Sequence, residues 1–236
     1  MQEIEFKFQV PVKKRKALQK AFTLLKAEPI HLAAQYFDTA DQTLAKHCIA
    51  IRRRQENDEW KQTFKAVDTA KVLSRLELEF DIAPPETTTL DLDNYKDYSA
   101  IYKKLKRALG LPLPTLELLF ETNIQRLHIL QDVGSSTVEI ALDIGKIFKE
   151  QNSVDIFEIE FELKQGSIED LIAFIRPWVQ KYQLSLDTHS KSDYGLLAVR
   201  QQVCFPAQYQ IPLILNRSSS EAEALQSIVA NCLQHL

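Results

Sequence analysis

Glycine is scarce in this chain: five residues in 236, about 2% where roughly 7% is typical. Gly110, Gly134, Gly145, Gly166 and Gly195 never stand closer than eleven residues apart. That spacing excludes both a GxGxxG turn and a GxxxxGKS/T loop, so any phosphate must be gripped by side chains rather than by a glycine-rich backbone. Cysteine is equally sparse. Cys48, Cys204 and Cys232 form no CxxC pair, and an odd number suits a reducing compartment. Long apolar runs are missing too, because the longest uncharged stretch, Gln201 to Asn216, holds two prolines and four glutamines. Glu3, Glu5 and Lys7 occupy the place of an apolar leader. Nor is there an excess of basic charge, with 29 Lys and Arg against 32 Asp and Glu, a net −3. The expected protein is cytoplasmic, with neither nucleic acid nor membrane as partner.

What is present is alternation. Eight segments, 2–9, 31–38, 48–56, 59–67, 73–82, 116–130, 137–145 and 153–164, carry the period-two pattern of strands. An even number suits a closed antiparallel barrel. Helices are expected over 12–27, over 99–109 with Ser99 as N-cap and Gly110 as C-cap, over 167–184, and over 190–201. Ser167 with Asp170 is close to a capping box, and Pro177 is expected to kink or break its helix. Residues 1–201 read as one domain, 202–218 as a linker containing Pro206 and Pro212, and 219–236 as a helical tail.

The strand faces are sorted by charge. In Glu3-Ile4-Glu5-Phe6-Lys7-Phe8 the charged residues share one side and the apolar residues the other. The same split recurs in Arg75 to Ile82, in Glu139 to Ile144 and in Glu158 to Lys164. Lys61, Thr63 and Lys65 face away from Trp60 and Phe64; Arg52 and Arg54 share a face, with Arg53 on the other. An antiparallel sheet with one face in water also alternates. A solvated face, however, mixes charge with Ser, Thr, Asn and Gln, whereas these positions are almost all Glu, Asp, Lys or Arg. The helices also need the apolar faces to pack against. The pattern therefore points to an α+β fold: an eight-stranded closed antiparallel β-barrel, charged inside, with helices packed outside.

Such an interior suits a metal–polyphosphate complex. Carboxylates at n and n+2 of a strand are about 6.6 Å apart at Cα, and oxygen-only ligation favours Mg²⁺ or Mn²⁺. Arg52, Arg54 and Arg126 offer planar forks to phosphate oxygens, while Lys7, Lys65 and Lys191 act as point charges. No nucleophilic side chain is required: Cys48 reads as a buried core thiol, and none of His31, His47, His128, His189 and His235 pairs at metal-ligand spacing.

Taken in order, these residues resemble the CYTH-domain proteins, the triphosphate tunnel metalloenzymes. Glu3-Ile-Glu-Phe-Lys7 is similar to the ExExK signature, Tyr36-Phe37-Asp38-Thr39 to the second-strand motif followed by Leu44, Arg52-Arg-Arg54 to RxR, and Thr63-Phe-Lys65 to TxK. Ser74-Arg75-Leu-Glu77, Arg126, Glu139 to Asp143, Glu158-Ile-Glu160 and Ser190-Lys191 follow in family order. The chain most resembles bacterial inorganic triphosphatases, in which a helical CHAD domain follows; residues 211–236 resemble its first helix. The resemblance implies metal-dependent hydrolysis of inorganic triphosphate, with ATP cyclisation, thiamine triphosphate hydrolysis and non-catalytic polyphosphate binding as the alternatives. It implies Glu3, Glu5, Glu158, Glu160 and Asp143 as metal ligands, with Glu139 in support. Lys7, Arg52, Arg54, Lys65, Arg126 and Lys191 would bind the triphosphate. Lys61 and Arg75 are expected to pair with interior acids, Glu77 to orient a base, and Glu162 to stand near the barrel mouth.

Overall fold

The computed structural model describes residues 4–67, 75–206 and 219–233. Glu3, the Arg75 side chain and most of the expected linker, 207–218, lie outside the described residues. All eight expected strands form: β1 (Glu5–Gln9), β2 (Glu28–Asp38), β3 (Ile49–Glu56), β4 (Glu59–Val67), β5 (Arg75–Ile82), β7 (Leu116–Val133), β8 (Ser136–Lys149) and β9 (Asn152–Gln165). Two strands of two residues, β6 (Thr89–Leu90) and β10 (Ser185–Leu186), bring the sheet to ten. The order is β10-β1-β9-β8-β7-β2-β3-β4-β5, antiparallel throughout, with β6 on β7. The eight-stranded closed barrel is thus corrected: among the described residues β1 and β5 do not pair, and the sheet stays open. The physical reason lies at β1, where Phe8 and Gln9 pair with Leu186 and Ser185 of β10, taking up a free edge that closure would need.

Two-residue turns set the register of the long hairpins. Asn57 (φ 53°) opens the β3–β4 turn and Gly134 (φ 60°) the β7–β8 turn, the left-handed backbone that matches strand twist. Asp38 ends β2 and accepts from the backbone N–H of Thr39, Leu44 and Ala45 at 2.7, 2.8 and 3.0 Å, capping the short α2 (Thr43–Lys46). Cys48 sits exposed in the following turn at φ 54°, not in the core as expected, because the chain reverses there before β3 begins.

The apolar faces are covered as expected. Helices α1 (Val12–Leu24) and α4 (Ile168–Tyr182) bury Leu18, Phe22, Leu171 and Ile175 against Phe8, Ile140, Leu142, Ile159 and Phe161. Trp178 meets Phe22 and Phe161 edge-on at 6.3 and 5.8 Å. Helix α4 runs on through Pro177 rather than breaking, since tertiary burial on both sides of the proline outweighs one lost hydrogen bond. Helix α3 (Ser99–Leu109) covers the β3–β4 side through Ile101 and Leu105, and Tyr98, not Ser99, takes its N-cap position. Arg53, the charge on the wrong face, is accommodated over the Phe37 ring at 5.1 Å and donates to the Thr87 carbonyl at 3.0 Å.

Helix α5 (Lys191–Arg200) departs from the expectation of helices only outside. Ser190 and Asp193 form its capping box, and it packs on β7, β8 and β9 from the charged side. Six consecutive β9 residues, Ile156 to Phe161, are consequently buried. Gly195 permits the approach: a Cβ there would collide with the Phe120 ring, itself stacked on Tyr36 at 4.5 Å. Gly195→Ala is expected to cost about 1–3 kcal/mol by overpacking, read as a lowered denaturation midpoint. A separate helix, α6 (Glu221–Leu233), follows. Among the described residues no helix is long and apolar enough to cross a membrane.

Candidate active site

Strand register assembles the site. Glu158 and Glu160 alternate along β9; Asp143 of β8 lies opposite Glu158, Arg126 of β7 opposite Asp143, and Lys7 of β1 opposite Glu160. Burial decides between an interior and a solvated face: Asp143 and Glu158 are 0% exposed, Glu160 and Lys7 8%. One oxygen from each of Asp143, Glu158 and Glu160 lies within 4.8 Å of the others.

Three bases interleave with the three acids. Arg126 forks onto Asp143, Nε to Oδ1 at 2.6 Å and Nη2 to Oδ2 at 2.7 Å, and Nη2 also donates to Glu160. Lys191 Nζ, from the first turn of α5, reaches Asp143 Oδ2 at 2.7 Å, Glu158 Oε1 at 2.5 Å and Glu160 Oε1 at 2.8 Å. Lys7 Nζ lies 3.6 Å from both Glu158 Oε2 and Asp187 Oδ2 and donates to the His189 carbonyl.

The electrostatics follow from burial and pairing. Burial disfavours the charges on Lys191 and Arg126, yet the surrounding carboxylates hold both groups well above their ordinary values. Burial also works against the Glu160 carboxylate, but Lys191 and Arg126 hold it well below the usual range. Burial wins at Glu158, whose carboxyl is pushed up despite Lys191 and Lys7. An all-oxygen set in which one acid still lacks sufficient positive charge fits a hard divalent cation.

A second tier of bases stands on β3 and β4. Arg52 donates to the Tyr36 hydroxyl at 3.3 Å and to Thr63 Oγ1 at 3.4 Å. Arg54 pairs with Glu56 and with Glu79 at 3.4 Å, Lys61 with Glu56 at 3.1 Å, and Lys65 with Glu77 at 3.0 Å. The two tiers feel each other: Lys191 and Lys65 join Arg52 in lowering the Tyr36 hydroxyl pKa against the opposing effect of burial. Lys61 and Glu77 are thus each paired with an opposite charge.

Other expected residues stand apart. Glu139 is held by His128 at 2.9 Å and Lys164 at 2.7 Å, and Glu162 by Lys164 at 2.7 Å, outside the three-carboxylate group. Glu5 is exposed opposite Glu162 on β1, also outside that group, though its charge helps raise the Arg126 pKa. Asp187 was missed by pattern reasoning. It accepts from Gln9 Nε2 at 2.6 Å, Tyr194 Oη at 2.9 Å and the His189 backbone N–H at 2.9 Å. These donors and Lys7 hold its carboxyl below the ordinary value although burial opposes them. Asp187 follows a two-residue strand with no alternation to betray it; its proximity to the Ser190-Lys191 motif was the available signal.

The CYTH domain family model matches residues 1–193, the span that supplies every residue of the carboxylate–base cluster. The chain belongs to the CYTH family. A relative of this CYTH chain is the inorganic triphosphatase of Haemophilus influenzae, 32% identical over 206 residues. That match covers 86% of this chain but 56% of the relative, so the CYTH chain spans little more than half of the relative's length. The fold resembles a Bacillus halodurans protein described as a candidate adenylate cyclase, with TM-score 0.56, 22% identity, and 80% and 94% of the two chains covered. It also resembles a Hippeastrum candidate adenylyl cyclase described as having a dominant triphosphatase activity, with TM-score 0.57, 18% identity, and 86% and 97% covered.

Proposed function

We propose that this CYTH chain hydrolyses inorganic triphosphate to pyrophosphate and phosphate, with residues 1–201 as the working unit. The observation that carries this reading is the buried interleaving of Asp143, Glu158 and Glu160 with Lys7, Arg126 and Lys191. Likeness to a triphosphatase supports it.

The charge balance explains why metal and phosphate belong together. Four buried acids, Asp143, Glu158, Glu160 and Asp187, face three bases, Lys7, Arg126 and Lys191, so the cluster formally carries one surplus negative charge and an anion entering without a cation would add to it. A phosphate chain draws Lys7, Arg126 and Lys191 onto its oxygens and leaves the carboxylates to Mg²⁺ or Mn²⁺. Bound there, the ion supplies Lewis-acid charge and a water of lowered pKa. Arg52, Arg54 and Lys65 hold the rest of the chain in line. Water oxygen bonds to the terminal phosphorus as the bond to the bridging oxygen breaks; the electron pair leaves with pyrophosphate, and the water's proton passes to a product phosphate oxygen. Arg126 and Lys191 stabilise the charge spread over the transferring group.

A phosphate-release screen of tripolyphosphate, pyrophosphate, ATP and thiamine triphosphate with Mg²⁺ and Mn²⁺ tests the reading. Release from tripolyphosphate that stops with chelator is expected; tight binding without release from any substrate would overturn it. Asp187→Asn is expected to raise KM for tripolyphosphate on the order of tenfold with kcat nearly unchanged, because Lys7 loses the carboxylate that positions it. An unaltered KM would show that Asp187 serves only the fold.

A further inference from the structure

Three aromatic rings gather beside Lys7, and the charge chemistry above does not use them. His189 immediately precedes the cap of α5, and its carbonyl holds Lys7 Nζ. Its imidazole is anchored by Nδ1 against Asp187 Oδ1 at 3.2 Å. Phe205, beyond the end of α5, returns to lay its ring flat on that imidazole, with centroids 3.8 Å apart and planes within 6°. Tyr194 stands edge-on to both, 6.1 Å from His189 and 5.1 Å from Phe205, and its own face lies 5.6 Å from Lys7 Nζ.

A flat contact at 3.8 Å is the spacing at which a nucleobase or other heteroaromatic ring stacks on an aromatic side chain. The imidazole therefore offers a platform next to a phosphate-binding base, walled on one side by Tyr194, and the chain's own phenyl ring covers it. Inorganic triphosphate carries no ring and loses nothing by this cover. A triphosphate ester with a ring at its end is denied this stacking surface beside Lys7.

We propose that Phe205 is a specificity-determining residue: by covering His189 it excludes the ring of organic triphosphates and leaves inorganic triphosphate preferred. The inference rests on the reading that the site takes triphosphates. Phe205 is half-buried and makes no ion pair, so truncating it removes a ring without removing charge.

The test compares ATP with tripolyphosphate in wild type, Phe205→Ala, Phe205→Trp, His189→Ala and the Phe205→Ala/His189→Ala double variant. Steady-state phosphate release is read alongside calorimetric binding of both ligands. Phe205→Ala is expected to raise the ATP-to-tripolyphosphate ratio of kcat/KM about tenfold, while tripolyphosphate turnover stays within about twofold of wild type. Phe205→Trp keeps the cover and the wild-type ratio, and the double variant loses the gain because the platform is gone. If Phe205→Ala fails to fold, Phe205→Leu is expected to shift the ratio in the same direction by less. An unchanged ratio in Phe205→Ala or Phe205→Leu, or a gain that survives loss of His189, overturns the proposal. Should wild type release no phosphate from any substrate, hydrolysis fails as a reading, while the binding ratios still decide the role of Phe205.

Discussion

Lys191→Met is expected to abolish most tripolyphosphate hydrolysis, lowering kcat by about 10²–10³-fold, and to destabilise the metal-free protein far more than the metal-loaded one. Lys191 Nζ touches all three buried carboxylates. Methionine keeps an unbranched side chain one atom shorter and removes the ammonium with its charge and donors. Asp143, Glu158 and Glu160 are then left with Arg126 and Lys7, and breaking a buried ion cluster from one side costs about 3–5 kcal/mol. For a domain of this size that is a fall of about 10 °C in Tm. A divalent cation bound to the same carboxylates takes over the lost compensation, so Mg²⁺ or Mn²⁺ should restore much of the Tm but little of the kcat. Restoration of both would mean that Lys191 is structural glue with no part in turnover; an equal Tm loss with and without metal would mean that the carboxylates are not a metal site.

The eight long strands were legible because two signals coincide in them. Glu158-Ile-Glu160-Phe161 alternates by polarity, and its polar set is wholly charged, the pattern expected of an interior face. Glu158 and Glu160 are buried where α5 covers them, whereas Glu79 and Asp81, on the equally charged face of β5, are exposed. Closure was not legible, since it turns on two residues, Ser185 and Leu186, too short to show a period, that occupy β1's free edge. The seat of α5 was not legible either. Helical spacing says which face is apolar but not which side of a sheet receives it; the clue was Gly195, a helix-interior glycine whose missing Cβ makes room for Phe120. Cys48 departs from the expectation because a single residue between His47 and Ile49 carries no sign of its left-handed turn. Asp187 and Tyr194 come together only through the fold, their hydrogen bond joining the chain before α5 to the helix itself.

Glu160→Gln is expected to separate the two halves of the proposed chemistry. Glu160, like Asp143, is shared by Arg126 and Lys191, and it contributes one of three clustered ligand oxygens. The amide preserves shape and one acceptor but removes one negative charge, leaving three acids, Asp143, Glu158 and Asp187, against three bases. Anion binding in the absence of metal should therefore strengthen, while cation binding weakens and turnover falls by about 10²–10³-fold. Calorimetry of tripolyphosphate in chelator reads the first effect, and phosphate release against Mg²⁺ or Mn²⁺ concentration reads the others. The pH dependence has a defined sign. Because the Glu160 carboxyl is held below its ordinary value of 4.5, its charged form stabilises the fold above about pH 4.5, and that contribution is lost as pH falls through the lowered value. The gap between wild type and Glu160→Gln in denaturant midpoint should accordingly be full at neutral pH and close progressively in acid. Weaker anion binding in the variant without metal would show that Glu160 positions the bases rather than opposing them, and the charge-exchange account of catalysis would fall with it.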